Sequence, residues 1–87
     1  MQELIIGVGI VVEGKLYTLP RPHRHHHCIS IAFEELNKQI VTESQGFTTN
    51  KGRYVLREEA LKIAKNANQL LPRHDSYFTE LYSESVW

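Results

Sequence analysis

The sequence predicts an α+β domain: a small antiparallel sheet made of two hairpins, two helices packed on one of its faces, in the order ββαββα, and an aromatic C-terminal tail. Two stretches broken by glycine-containing turns, residues 4–19 and 46–55, read as the hairpins. Each is followed by apolar residues spaced by three and four, which marks an amphipathic helix. The 87 residues suit a single domain, 1–87, and no repeat or low-complexity segment divides them.

Residues 4–12 are rich in Ile and Val and interrupted by Gly7 and Gly9, as in a buried strand with a bulge or a close approach. Glu13-Gly14-Lys15 makes the turn, Leu16-Tyr17-Thr18-Leu19 returns, and Pro20 and Pro22 stop the sheet. In the first helix Ile29, Ala32, Phe33, Leu36 and Ile40 line up as one stripe. Pro22 is placed in its first turn, where a missing N–H costs nothing, and the histidines follow in the N-terminal turns. Two short strands then flank an Asn50-Lys51-Gly52 turn. The second helix is expected over residues 57–71, with Ala60, Ile63, Ala64, Ala67 and Leu71 as its stripe, and Pro72 ends it. Leu56 stands at its N-cap, where a side-chain acceptor is usual. The tail, 73–87, holds Tyr77, Phe78, Tyr82 and Trp87, half of all the aromatics. A frayed tail is polar, so this one is expected to dock on the domain or on a neighbouring subunit.

Composition narrows the function. A chain of this length buries only about 60–65% of its unfolded surface, so its core is thin. Cys28 is the one cysteine, which leaves packing and self-association as reinforcement and fits a reducing cytosol. Ten basic and ten acidic side chains cancel, which argues against a coat for polymeric nucleic acid. No apolar run approaches the roughly 20 residues of a membrane span, and Met1-Gln2-Glu3 does not open a signal peptide. The expected partners are a small molecule and further copies of the chain, with no membrane.

The densest chemistry lies in residues 21–28, Arg-Pro-His-Arg-His-His-His-Cys, with four of the five histidines. His23 and His27 stand one helical turn apart and could grip a metal, but no third ligand follows and no His-Glu-x-x-His pattern occurs. No metal and no cofactor are therefore expected. A helix N-terminus with Arg21 and Arg24 beside it suits an anion instead, through free N–H groups and guanidinium forks. Residues 46–60 repeat the arrangement: Arg57 opens a helix, Arg53 precedes it, and Phe47 and Tyr54 are available for stacking. The bland alternative is a solvated basic turn and core aromatics. No nucleophile elbow, P-loop or dinucleotide fingerprint occurs, and Cys28 and His27, adjacent on a helix, do not face each other. A ligand-binding protein rather than an enzyme is expected.

These segments resemble a family of small phage and prophage proteins. The resemblance covers about two-thirds of the chain and rests on Arg24-His25-His26, on Gly46 through Ala60, on Ala67-Asn68-Gln69 and on Leu81-Tyr82-Ser83-Glu84-Ser85-Val86-Trp87. Leu56, His27 and Ser85 depart from it where acidic residues are common. Members are similar to Thoeris anti-defence sponge proteins. That resemblance implies sequestration, without cleavage, of cyclic ADP-ribose signals or cyclic oligonucleotides by a homo-oligomer with sites at subunit boundaries, in the host bacterial cytoplasm. Carried over, it points to Arg24, His25, His26, Phe47, Arg53, Arg57, Tyr82, Ser83 and Glu84 as ligand-binding residues. The alternatives are a phage inhibitor that docks on a host protein through its aromatic tail, and a metal-dependent hydrolase.

Overall fold

The computed structural model describes residues 2–87; Met1, part of the start read above, lies outside the described residues. Ile5–Val12 (β1) and Lys15–Pro20 (β2) form the first hairpin, followed by the helix His25–Leu36 (α1). Ser44–Thr49 (β3), Tyr54–Leu56 (β4) and the helix Arg57–Asn66 (α2) complete the ββαββα order. The four strands make one antiparallel sheet in the order β2-β1-β3-β4.

β1 supplies the core through its alternation. Val8, Ile10 and Val12 point to the helices and are buried with Tyr17, Phe47 and Val55 from the neighbouring strands. Glu13 and Gly14 both have positive φ, 51° and 77°, the geometry that joins twisted strands through two residues. On the opposite face the Tyr54 ring lies across Gly9 and Gly46. A Cβ at Gly9 would stand 3.0 Å from that ring, and one at Gly46 would meet the Val55 carbonyl oxygen at 2.3 Å. The glycines thus form a bed for the ring, whose hydroxyl reaches Ser44 Oγ at 2.9 Å.

Two elements differ from the sequence expectation. α1 begins at His25, with Arg24 at the N-cap, so Pro22 lies in the preceding turn, where the His23 N–H donates to the Pro20 carbonyl. Its buried side is His25, Cys28 and Ala32; Ile29 and Leu36 pack at the flank and Phe33 is half exposed. The helix is rotated relative to the predicted stripe because the small Cys28 and Ala32 allow closer approach to the sheet. α2 ends at Asn66 rather than at residue 71. Asn68 turns left-handed, with φ 56°, and the Gln69 side chain is used elsewhere. Its amide donates to the Ile5 carbonyl at 2.9 Å and accepts from the Ile5 N–H at 2.8 Å, as a neighbouring strand would. This braces β1 where its register with β3 shifts, between Ile5 and Gly7.

The tail closes the molecule. Leu71 N–H donates to the Ser85 carbonyl, and Leu81 N–H to the Arg57 carbonyl at 3.0 Å. Leu81 is fully buried, and a 3-10 turn over Ser83–Ser85 leads to Trp87. The Trp87 indole N–H donates to the His23 carbonyl at 2.8 Å, and its ring meets Phe47 edge-on.

At the far end of the sheet, Arg53 grips Glu3 through two hydrogen bonds of 2.9 and 2.8 Å and also reaches Glu59. The Arg53 guanidinium, helped by Thr49, holds the Glu3 carboxyl well below its ordinary value, at about 2. A carboxyl lowered on folding contributes stability that is present above its ordinary value of 4.5 and lost as the pH falls towards 2. Glu3→Gln should therefore lower the melting temperature at pH 7 and make its decline between pH 4.5 and 2 shallower. Thermal melts of both proteins across that range check this, and high salt should shrink the difference.

Candidate ligand-binding site

Seven of the nine residues singled out from the sequence are gathered at one end of the sheet. Arg24 and His25 come from the start of α1, Phe47 from β3, Arg57 from the start of α2, and Tyr82, Ser83 and Glu84 from the returning tail. His26 stands exposed on the outer side of α1, its ring 4.1 Å from that of His27. Arg53 lies apart, engaged with Glu3 and Glu59.

The start of α1 is organised without a conventional cap. Arg24 has no side-chain acceptor, so His27 supplies one, with Nδ1 accepting the Arg24 N–H at 2.9 Å. This leaves the proton of the neutral ring on Nε2. Desolvation and the neighbouring His26, His23 and Arg24 hold His27 below its ordinary value. The Arg24 guanidinium is consequently free to turn towards the tail, where it donates to the Trp87 carbonyl and, at 3.4 Å, to Ser83 Oγ.

His25 is a buried strut. Its Nε2–H donates to the Gly46 carbonyl at 2.8 Å, and its ring meets Phe47 edge-to-face at 5.0 Å. Burial pushes its pKa down, and the charge of Arg57 adds to this while Glu84 opposes it. Phe47 is fully buried beneath it and offers no surface for stacking in the single chain.

Arg57 is half-buried. One N–H donates to Gln45 Oε1 at 2.6 Å, and its guanidinium stands 4.9 Å over the Tyr82 ring. Among the described residues no Asp or Glu carboxylate pairs with Arg57 or with Arg24. Arg57 borders an open groove of about 800 Å³ along the β4 edge, which Gln45, Tyr54 and Lys62 also line. Glu58, Glu59 and Glu80 face the same space, so the groove has mixed charge and its cationic character is concentrated at Arg57 and Lys62.

Other chemistry is less developed. His23 lies before the helix, with Nδ1 donating to the Pro20 carbonyl. Among the described residues no three His, Cys, Asp or Glu side chains stand close enough together to hold a metal ion. Cys28 is buried against the sheet, its thiol directed at the Val8 carbonyl and pushed up in pKa by desolvation. No helix among the described residues is long and apolar enough to cross a membrane. Gln45, on an unremarkable polar strand, escaped the sequence reading, whereas Trp87 was read there only as part of the aromatic tail.

A family model described as phage T4 y16D protein matches residues 5–87, nearly the whole described chain. No curated protein and no solved structure matches it.

Two outcomes test this site as a packed unit. Leu81→Ala should cost about 2–5 kcal/mol of stability, the usual toll of truncating a fully buried leucine, read from denaturant unfolding. A buried histidine with a lowered pKa contributes stability that is present above 6.5 and lost as the pH falls below it. His25→Gln, which can still donate to Gly46, should therefore show a smaller stability loss between pH 6.5 and 5 than the wild type.

Proposed function

The chain belongs to the phage T4 y16D protein family, and on that footing we propose that this small phage protein is a nucleotide-binding sponge. It captures a cyclic nucleotide or cyclic ADP-ribose-type signal of bacterial anti-phage defence and holds it without cleaving it, in the host cytoplasm. The observation that carries the reading is Arg57: a half-buried guanidinium with no carboxylate partner among the described residues, steadied on Tyr82 at the rim of a groove. A guanidinium kept from neutralisation and held in place suits a phosphate fork. Arg24, turned to a carbonyl and a hydroxyl, offers a second donor on the same side of the molecule.

Self-association belongs to the proposal. The sheet face away from the helices is open, with Leu16 and Leu56 exposed on it by 45% and 54%, and α1 shows Ile31 and Phe33 to solvent. One feature favours a second reading, an inhibitor of a host protein: Tyr77 is 90% exposed at the tip of the tail loop.

Calorimetric titration with cyclic ADP-ribose isomers and cyclic di- and trinucleotides, followed by chromatography of the recovered ligand, tests the sponge. A charge-assisted hydrogen bond contributes about 1.5–3 kcal/mol, so Arg57→Ala should weaken binding roughly 10- to 150-fold. Arg57→Lys should recover part of it, keeping the charge without the fork. Intact recovered ligand supports sequestration, and a cleaved product makes the protein an enzyme. A folded protein that binds none of these compounds leaves the host-protein inhibitor as the better account.

A further inference from the structure

Between Leu71 and Ser85 the chain leaves the domain and returns to the same place. The neck is closed by the Leu71 N–H to Ser85 carbonyl bond at 2.7 Å and by Arg73 Nε–H donating to the Glu84 carbonyl at 2.6 Å. His74 Nδ1 lies 2.7 Å from Ser85 Oγ across the same neck. A compact loop with its ends held together has the outline of an Ω-loop, a form often used for binding. Its return leg is fixed to α2 by Leu81, which is buried and bonded to the Arg57 carbonyl.

This loop shapes a slot of about 280 Å³ lined by Arg73, Phe78, Tyr82, Glu84 and Ser85. Phe78 contributes little to the core, since 45% of it is exposed. Its ring is nonetheless held by two edge-to-face contacts, with His74 at 5.7 Å and Tyr82 at 5.2 Å. Arg73 spends its Nε–H on Glu84 and so keeps its guanidinium plane at the slot. Two aromatic rings and a planar cation suit a flat π-system. Glu84 adds an acceptor that disfavours a phosphate and favours an N–H donor.

We propose that this slot receives the base of a nucleotide, an aminopurine whose exocyclic amine faces Glu84. Tyr82 links it to Arg57, which stands over the same ring. Such a nucleotide would direct its phosphate towards Arg57 and its base against Phe78, with the Tyr82 ring between them. The inference rests on the proposed nucleotide-binding function and adds to it the half of the ligand that Arg57 does not read.

NMR-monitored titrations of the full chain with AMP, adenosine and ribose 5-phosphate separate the two halves. AMP should bind more tightly than ribose 5-phosphate and shift the amides of residues 73–85. Base stacking on an aromatic side chain, measured by alanine substitution, implies that Phe78→Ala weakens AMP about 5- to 150-fold. The same variant should leave ribose 5-phosphate unchanged, and Phe78→Trp should retain AMP; because Phe78 is half exposed, a melting curve should show the variant folded. Adenosine that binds, survives Arg57→Ala and is lost in Phe78→Ala supports the slot even where ribose 5-phosphate fails to bind and the phosphate reading falls. Equal binding of AMP and ribose 5-phosphate, or AMP affinity untouched by Phe78→Ala, overturns the slot and leaves the phosphate reading standing. No binding by any of the three to folded protein overturns both.

Discussion

Every other element is arranged around β1. It hydrogen-bonds to β2 on one edge and to β3 on the other, and alternate residues Val8, Ile10 and Val12 fill the space beneath the helices. Its opposite face needs almost no side chain, because Gly9 and the adjacent Gly46 make room for the Tyr54 ring. The weak point of such a strand is its irregular start, where Ile5 steps out of register with β3. An unpaired buried peptide there would cost as much as a lost hydrogen bond. Gln69 removes that cost by meeting both polar groups of Ile5. Shortening α2 is the structural counterpart of that contact: an amide at position 69 cannot both continue the helix and reach β1.

The alternating and three-four patterns made the ββαββα order legible, since each period reports directly on which residues face the core. Helix ends were less legible. Nothing in Ala67-Asn68-Gln69 distinguishes one more helical turn from a left-handed Asn followed by a side chain recruited over a distance of 64 residues. The rotation of α1 was hidden for a related reason. His25 is polar by type, yet it donates to the Gly46 carbonyl, which lets it be buried beside Cys28. Phe33, apolar by type, is left half exposed. Periodicity counts residue types, and burial here was decided by hydrogen-bond partners.

The candidate residues show the same division. Sequence places Arg24, Arg53 and Arg57 alike, each near a strand end or helix start. Structure gives them three environments: Arg24 donates to a carbonyl and a hydroxyl, Arg53 is neutralised by two carboxylates, and Arg57 has an amide oxygen and an aromatic ring. An arginine already paired with two carboxylates must lose them before it can take up another anion, whereas one resting on a neutral ring has nothing to surrender. Phe47 and Tyr54 divide similarly. The first is sealed beneath His25, while the second borders the groove from its glycine bed.

The contacts that tie Trp87 to the start of α1 also govern when the Arg24 side chain takes its place. Arg24 donates to Trp87 at a sequence separation of 63, and the indole reaches back to His23 at a separation of 64. A chain made from its N-terminus onward can form the first hairpin and α1 early. It cannot set the direction of the Arg24 guanidinium until Trp87 has left the ribosomal tunnel. A chain without Trp87 would carry most of the fold with the Arg24 guanidinium unmoored.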